Sequence, residues 1–349
     1  MSGQVLDDLN LIAQRDPDGA LAIAADSYKQ FSWDPDVLDG SNDGRPLSGV
    51  VVTGMGGSAL AALILQRWLK TELTVPFEII RSYSLPASVG QNTLVIASSY
   101  SGNTEETISA LEQAQHRRSQ LAIIAAGGKL IDVAEEQGVA HITLPGGFQP
   151  RVALIYNLQA LLTLLEHFGL ISGKAQEVRE LTGWIEQQIE QWTADKPTVQ
   201  NYAKQIALES VGKNAVFYGG EITGPLAYKW KISWNETGKN VAWWNEYSEF
   251  NHNEFMGWTS HPVEKPYIIF DLISHLEHPQ ILKRFEVTDR LLSGKRPKAN
   301  TITLRGESVI AQLLWGCVLA DFVSVYLAIL NNVNPVPVAL IERFKKELI

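Results

Sequence analysis

The chain has 349 residues, enough for two α/β domains of ordinary size. Hydrophobic residues make up 45% and charged residues 19%, so a large core can form and global disorder is excluded. The formal net charge of -9 leaves no basic footprint for duplex nucleic acid, and a single cysteine, Cys317, excludes an intrachain disulfide framework and a cysteine-built zinc site.

Met1 to Leu9 carries acids and no apolar run, which predicts no secretory leader. Residues 1–47 read as helices, broken at Asp16-Pro17-Asp18-Gly19 and at Asn42-Asp43-Gly44-Arg45-Pro46. The texture then changes. Strand-like runs at Val50–Val52, Phe77–Ile80, Leu94–Ala97, Leu121–Ala125 and His141–Leu144 alternate with helical stretches up to Leu69, near Thr104–His116 and at Lys129–Gln137. Buried strands alternating with helices predict a parallel sheet with right-handed crossovers. A long apolar helix is expected from Arg151 to Leu170, and Gly173 to about Thr198 reads as a Glu/Gln-rich helical connector. A second series follows, with strands at Ala215–Tyr218, Val241–Trp244, Tyr267–Phe270 and Thr301–Leu304 and helices at Gly224–Lys239, Pro279–Leu292 and Glu307–Asn331. The expected division is an N-terminal helical segment (1–47), a first α/β subdomain (48–170), a connector (171–200) and a second α/β subdomain (201–349). Val309 to Leu330 is the most apolar stretch, but Gln312 and Asp321 interrupt it, which predicts a buried helix rather than a membrane span.

Two loops carry the chemistry of the first half. Gly54-Met55-Gly56-Gly57-Ser58-Ala59 joins a strand to a helix, and glycines there let an anion approach the backbone at a helix N-terminus. The spacing of Gly54, Gly56 and Ala59 also fits a dinucleotide fingerprint, but the next strand contains Glu78 and ends at Arg81, where a ribose-holding acid is wanted. In the second loop a strand runs into Ser98-Ser99-Tyr100-Ser101-Gly102-Asn103-Thr104-Glu105-Glu106-Thr107. Ser99, Ser101 and Thr104 can donate to phosphate oxygens beside free N–H groups at the positive end of a helix. A simple N-cap with a capping box needs one hydroxyl, and this loop has an excess.

With these two loops, the sequence resembles the sugar isomerase (SIS) domain and, more narrowly, the bifunctional phosphoglucose/phosphomannose isomerase family. The resemblance continues through Gln149-Pro150-Arg151, Asn235-Glu236 with Lys239, Glu249-Phe250-Asn251-His252-Asn253-Glu254, Asp321 to Ala328, Asn334-Pro335-Val336-Pro337-Val338 and the terminal Ile341-Glu342 to Lys345-Lys346 stretch. It implies two SIS-type subdomains, each a three-layer αβα unit with a parallel sheet and flavodoxin-like topology. The implied activity is cofactor-free interconversion of glucose 6-phosphate and mannose 6-phosphate with fructose 6-phosphate in a cytoplasmic homodimer. Another SIS sugar-phosphate isomerase and a non-catalytic sugar-phosphate-binding SIS protein are the alternatives. The first would lack an amidotransferase half, since Met1-Ser2-Gly3 offers no N-terminal cysteine nucleophile. The second would want a basic helix-turn-helix before residue 48, and the acidic start does not supply one.

Such an isomerisation needs a base, a stabiliser for the enediolate, a ring opener and a phosphate grip. Glu236 is the implied base, and desolvation on its helix would move its pKa toward neutrality. His252 is the implied ring opener. It lies too far from Glu236 for one helical face, and the resemblance implies delivery from the partner subunit. Arg151, after Pro150 at a helix start where the dipole disfavours a cation, is assigned to the enediolate or sugar oxygens. Lys345, or the adjacent Lys346, is implied to assist ring opening. Gly56, Gly57, Ser58, Ser99, Ser101 and Thr104 are the expected substrate contacts, with no metal site.

Other features read as structure. Trp230, Trp234, Trp243, Trp244 and Trp258 read as core or interface packing, His275 and His278 as a solvated helix start rather than a metal pair, and Cys317 as inert. The sequence departs from the family pattern at Ala61-Ala62-Leu63, where a Gly-Asp pair is usual, and at Ser248, where proline is common. The first departure alters the wall beside the sugar.

Overall fold

The computed structural model describes residues 2–40, 42–260 and 266–348. The chain opens with α1 (Ser2–Asp7), α2 (Leu9–Arg15) and α3 (Ala20–Ala25). Aspartates set their boundaries. Asp8 accepts the Asn10 and Leu11 amides at 3.0 and 3.1 Å to cap α2, and Asp16 accepts those of Ala20 and Leu21 at 2.8 and 2.9 Å at the start of α3. The chain forms two units, Tyr28–Gly183 and a second made of Met1–Ser27 with Trp184–Ile349.

The unit Tyr28–Gly183 begins with α4 (Tyr28–Phe31), β1 (Gly49–Thr53), α5 (Gly56–Trp68) and β2 (Phe77–Ile80). It continues through β3 (Thr93–Ser98), α6 (Glu105–His116), β4 (Gln120–Ala125), α7 (Lys129–Gln137), β5 (Ala140–Thr143), α8 (Leu154–His167) and α9 (Lys174–Arg179), and α10 (Thr182–Ile189) runs out of it. The sheet is parallel in the order β2-β1-β3-β4-β5, the strand order of a flavodoxin-like fold. All six residues of β3 are buried, as expected for a central strand covered on both faces. Val51, Val95, Ala97 and Ile123 face α6 and α7, and α5 packs against α8.

The other unit carries α11 (Tyr202–Ser210), β6 (Asn214–Gly219), α12 (Gly224–Glu236), β7 (Ala242–Glu246), α13 (Glu254–Gly257), β8 (Tyr267–Ile273), α14 (Pro279–Leu291), β9 (Ala299–Thr303), α15 (Val309–Leu330) and α16 (Ala339–Glu347). Its parallel sheet runs β7-β6-β8-β9. Thus β6, β7, β8 and β9 stand to one another as β1, β2, β3 and β4 do. α15 is long and apolar enough to cross a membrane, but 89% of its apolar window is buried, against α11 and α12 among others. It is a core helix.

All nine expected strand runs are strands, with the largest difference at β8, which continues to Ile273. Several helical expectations need correction, among them Gly224–Lys239, whose helix ends at Glu236. The long helix starts at Leu154, because Pro150–Val152 forms a separate 3-10 turn. The Glu/Gln-rich stretch is two helices, α9 and α10, interrupted at Glu180 and Leu181. Tyr202–Ser210 forms a helix that the sequence pattern did not reveal; Asn201 caps it by accepting the Lys204 amide at 3.1 Å, and its Ala203, Ile206 and Ala207 face is buried.

Candidate active site

In the unit Tyr28–Gly183 the loops after β1 and β3 both leave the C-terminal edge of the sheet. The Gly54 amide still bonds to Ile80 O at 3.1 Å, and a Cβ there would stand 2.7 Å from Ser98 O, so the two loops leave the sheet in backbone contact. Gly56 has φ +52, a left-handed conformation that suits glycine, and starts α5 with no side-chain cap on its amides. Ser58 is buried, and its Oγ accepts the Tyr100 amide at 3.3 Å, tying the first loop to the second.

The second loop is a hydroxyl cluster. Ser99 Oγ lies 2.7 Å from Thr104 Oγ1 and 3.5 Å from Ser101 Oγ, and Ser101 Oγ accepts the Asn103 amide at 3.3 Å. Thr104 occupies the N-cap position of α6, yet its side chain makes no capping bond. The expected alternative, a plain capping box, is therefore not what the loop forms. Its hydroxyls pair with one another, and the helix start is left uncapped by them, which suits an anion. Ser99 is 2% exposed, whereas Ser101 is exposed. A second loop braces this one: the Ala126 amide bonds Tyr100 O at 2.9 Å, the Leu130 amide bonds Gly102 O at 3.1 Å, and Asn103 Oδ1 accepts the Lys129 amide at 3.1 Å. A Cβ on Gly102 would sit 1.7 Å from Gly127 O, so no side chain fits there.

Arg151 lies in the Pro150–Val152 turn and is 3% exposed. Gly57 fixes that turn: a Cβ at Gly57 would meet Pro150 O at 2.7 Å and Arg151 N at 3.3 Å. The glycine loop therefore serves the placement of Arg151 as well as any backbone approach to an anion. Tyr100 contributes from the other side, donating to Pro145 O at 2.7 Å and accepting the Phe148 amide at 3.0 Å. Burial pushes its phenol up, so it stays a donor. Beneath the loops, Asn157 of α8 donates to Ser98 Oγ at 2.9 Å, while Asn157 Oδ1 and Thr53 Oγ1 are buried without a hydrogen-bond partner among the described residues. Tyr100 and Asn157 were missed in the sequence. An asparagine inside an otherwise apolar helix was the available signal for Asn157.

In the other unit, Glu236 is the half-buried last residue of α12. Lys239, expected on the same helix, lies beyond its end with φ +53. Its ammonium donates to Glu236 O and, at 2.5 Å, to Pro337 O, and so ties the end of α12 to the segment leading into α16. A Cβ on Gly238 would meet Trp234 O at 3.0 Å and Leu327 Cδ2 at 3.1 Å, so the turn after Glu236 is closely packed.

His252 ends a 3-10 turn, Glu249–His252, and is exposed. The residues around it are held firmly. Phe250 is 0% exposed against Tyr218, whose hydroxyl donates to Glu254. Asn245 donates to the other Glu254 oxygen at 2.7 Å, and Trp258 donates to the Tyr218 hydroxyl at 3.0 Å. Asn251 donates to Thr288 at 3.0 Å and accepts from Arg284 at 3.1 Å. An exposed imidazole thus stands on a rigid platform, with Glu254 as a support that the sequence alone did not single out. Lys345 and Lys346 are both exposed on α16.

A bacterial phospho-glucose isomerase C-terminal SIS domain model matches residues 199–348, and an SIS domain model matches residues 48–170. A bifunctional phosphoglucose/phosphomannose isomerase of Caldicellulosiruptor bescii is 36% identical over 306 residues, covering 86% of this chain and 89% of that protein. The chain belongs to the bifunctional phosphoglucose/phosphomannose isomerase family. A namesake from Aquifex aeolicus is 33% identical over 92% of this chain and 95% of its own length. A glucose-6-phosphate isomerase like protein from Thermus thermophilus shares the fold at TM-score 0.65 and 16% identity, covering 98% of both chains.

Of the departures from the family pattern, Ala61 and Ala62 are wholly buried in α5, and the Tyr247–Ser248 peptide is cis, where the family commonly has a proline. Trp230 and Trp234 are wholly buried beside Phe217 and Phe270, which makes them core residues, while Trp243 is 47% exposed on the edge strand β7. His278 caps α14 by accepting the Gln280 amide at 3.1 Å, and His275 Nδ1 lies 3.0 Å from Gln312 Nε2.

Proposed function

We propose that the chain interconverts glucose 6-phosphate and fructose 6-phosphate, and accepts mannose 6-phosphate, through a cis-enediol intermediate. The observation that carries the reading is the linked hydroxyl cluster of Ser99, Ser101 and Thr104 at a helix start it does not cap. Those hydroxyls and the α5 and α6 amides hold the phosphate, with Gly56, Gly57 and Ser58 shaping the approach. No cationic side chain is required, because hydrogen-bond donors and the helix dipole supply the attraction.

His252 protonates the ring oxygen as the C1 hydroxyl loses its proton, with Lys345 assisting, and the sugar opens. Glu236 removes the proton from C2, and the electrons move onto the carbonyl oxygen at C1. Arg151 stabilises the negative charge that develops there. The proton on O2 passes to O1, Glu236 delivers a proton that has exchanged with solvent to C1, and the carbonyl is now at C2. Glucose and mannose phosphates differ only at C2, so both give the same enediol once that proton is gone. Tolerance of rotation about C2–C3 is then enough for dual specificity, and no cofactor is needed.

The active form in this reading is a cytoplasmic homodimer, with His252 of the partner subunit completing each site. Support comes from the exposure of His252 on its fixed platform and from the outward Leu340 and Phe344 of α16, 82% and 63% exposed. The test is to incubate the protein with each aldose phosphate, EDTA present, and follow fructose 6-phosphate. Turnover of both is expected. Turnover of neither overturns the isomerase reading, and tight binding without turnover would point to a sugar-phosphate-binding SIS protein.

A further inference from the structure

The equivalence of β6, β7, β8 and β9 with β1 to β4 puts the loop after β8 in the topological place of the hydroxyl loop after β3. It likewise puts the loop Gly219–Gly224 in the place of Gly54–Gly57. In the first unit the post-β3 loop brings neutral hydroxyls. In the second, the post-β8 loop brings Glu277, which is 4% exposed. Glu277 Oε1 accepts the Ile222 amide at 2.8 Å and the Thr223 amide at 3.1 Å, the two N–H groups just ahead of the 13-residue helix α12. Its Oε2 has no hydrogen-bond partner among the described residues. A Cβ on Gly220 would fall 2.3 Å from Glu277 Oε1, so the glycine is there to admit the carboxylate. Thr223 completes the arrangement, accepting the Gly220 amide at 2.7 Å and donating to Leu272 O at 2.8 Å.

We propose that Glu277 is a built-in anion that fills the second unit's phosphate nest, so that the chain holds one sugar phosphate and not two. The inference rests on the proposed phosphate role of the first unit for the class of anion. The charge around the nest agrees with it. A Cβ on Gly224 would lie 2.2 Å from Glu246 Oε1, and Glu221 acts on Glu277 as a like charge. A dianionic phosphate added to that company is repelled, whereas the resident carboxylate brings a single charge and already occupies both amides with Oε1. Burial pushes the Glu277 carboxyl above its ordinary value, and the Thr223 and Ile222 amides pull it the other way, toward the anion. Glu277 therefore also clamps the head of the helix whose last residue is Glu236.

The probe is formate, a carboxylate small enough for the space that E277A leaves. In formate at the ionic strength of a chloride control, E277A melts roughly 2–4 °C higher, the scale expected when a ligand binds the native state alone. Wild type and E277Q, whose amide oxygen still accepts both N–H groups, show only the smaller formate shift that the open anion site of the first unit gives to all three proteins, and the gain of E277A is read beyond it. An E277A chain that is unfolded in chloride and folds in formate supports the proposal equally. E277A that gains no more from formate than wild type does, or folds in neither salt while E277Q folds, overturns the proposal. Equilibrium dialysis of inorganic phosphate against wild type separates the two readings: one phosphate per chain is expected, two contradict the closed nest, and none contradicts the phosphate grip of the first unit.

Discussion

Gly57→Ala separates two roles of the glycine loop. Glycine before a helix is often explained by backbone freedom, but of Gly56 and Gly57 only Gly56 has a positive φ. Gly57 is required by what faces it. Its added Cβ would stand 2.7 Å from Pro150 O, about 0.7 Å short of the 3.4 Å at which ordinary contact begins. That oxygen is backbone, so the turn Pro150–Val152 must move, and it carries Arg151. The Arg151 side chain is buried and cannot recover its place by changing rotamer freely. A displacement approaching 1 Å at a positioning group costs up to ~100-fold in rate, so G57A is expected to lose roughly 10- to 100-fold in kcat, about 1.4–2.7 kcal/mol of transition-state stabilisation. Stability moves little, because alanine gains up to about 1 kcal/mol of helix propensity over glycine and offsets part of the clash. The assay is a coupled measurement of kcat and KM on fructose 6-phosphate, with thermal midpoints alongside. R151K, which keeps the charge and loses the planar fork, is expected to reduce kcat as well. The double variant then loses less than the two singles multiplied, since both act through one guanidinium. Wild-type kcat in G57A, or fully multiplicative losses in the double variant, would refute a positioning role for Gly57.

Three further outcomes are expected. E236Q loses about 10²- to 10⁴-fold in kcat while binding of a sugar phosphate, read by titration calorimetry, is kept; full activity would make Glu236 the wrong base. Mixed dimers of E236Q and H252A subunits regain up to about a quarter to a half of wild-type activity per site pair, of the order expected when one intact site reassembles from two chains; a mixture as inactive as its components argues that each chain uses its own histidine. Asp271, in the core of the second sheet, has its carboxyl pushed up to about 7 by burial, with the Arg296 guanidinium pulling partly the other way. Below its ordinary value of 3.8 both folded and unfolded chains hold the proton, and between there and about 7 only the folded chain does. Its contribution is therefore full at acid pH and lost as pH rises through 7. Urea unfolding of wild type and D271N across that range should show the wild-type advantage falling by at most about 4 kcal/mol, and a pH-independent difference would contradict the assignment.

The central strands were legible because runs such as Val50–Val52, Leu94–Ala97 and Ala215–Tyr218 are short, apolar and followed by glycine or hydroxyl residues, and a strand buried on both faces has no other pattern to follow. The loops at 54–59 and 99–104 were legible for the same reason, since an excess of glycine and hydroxyls has few structural uses. What the sequence withheld was contact between distant segments. Nothing local in Gly57 says that it faces Pro150, and nothing in Glu277 marks it out from a surface glutamate. Both belong to pairings that only the folded sheet creates. The helix Tyr202–Ser210 escaped because its polar residues mask a buried face, where Lys204 is 0% exposed and bonds the Ala194 and Lys196 carbonyls at 2.8 and 2.7 Å. The split between α9 and α10 escaped because Glu/Gln-rich composition favours helix on both sides of the break.

The central claim is one enediol serving two aldoses, and its most direct test is isomerisation of fructose 6-phosphate in deuterium oxide with EDTA present, followed by NMR. A shared enediol predicts glucose 6-phosphate and mannose 6-phosphate together, each carrying solvent deuterium at C2. Formation of neither aldose, or of aldoses whose C2 hydrogen never exchanges with solvent, would contradict it.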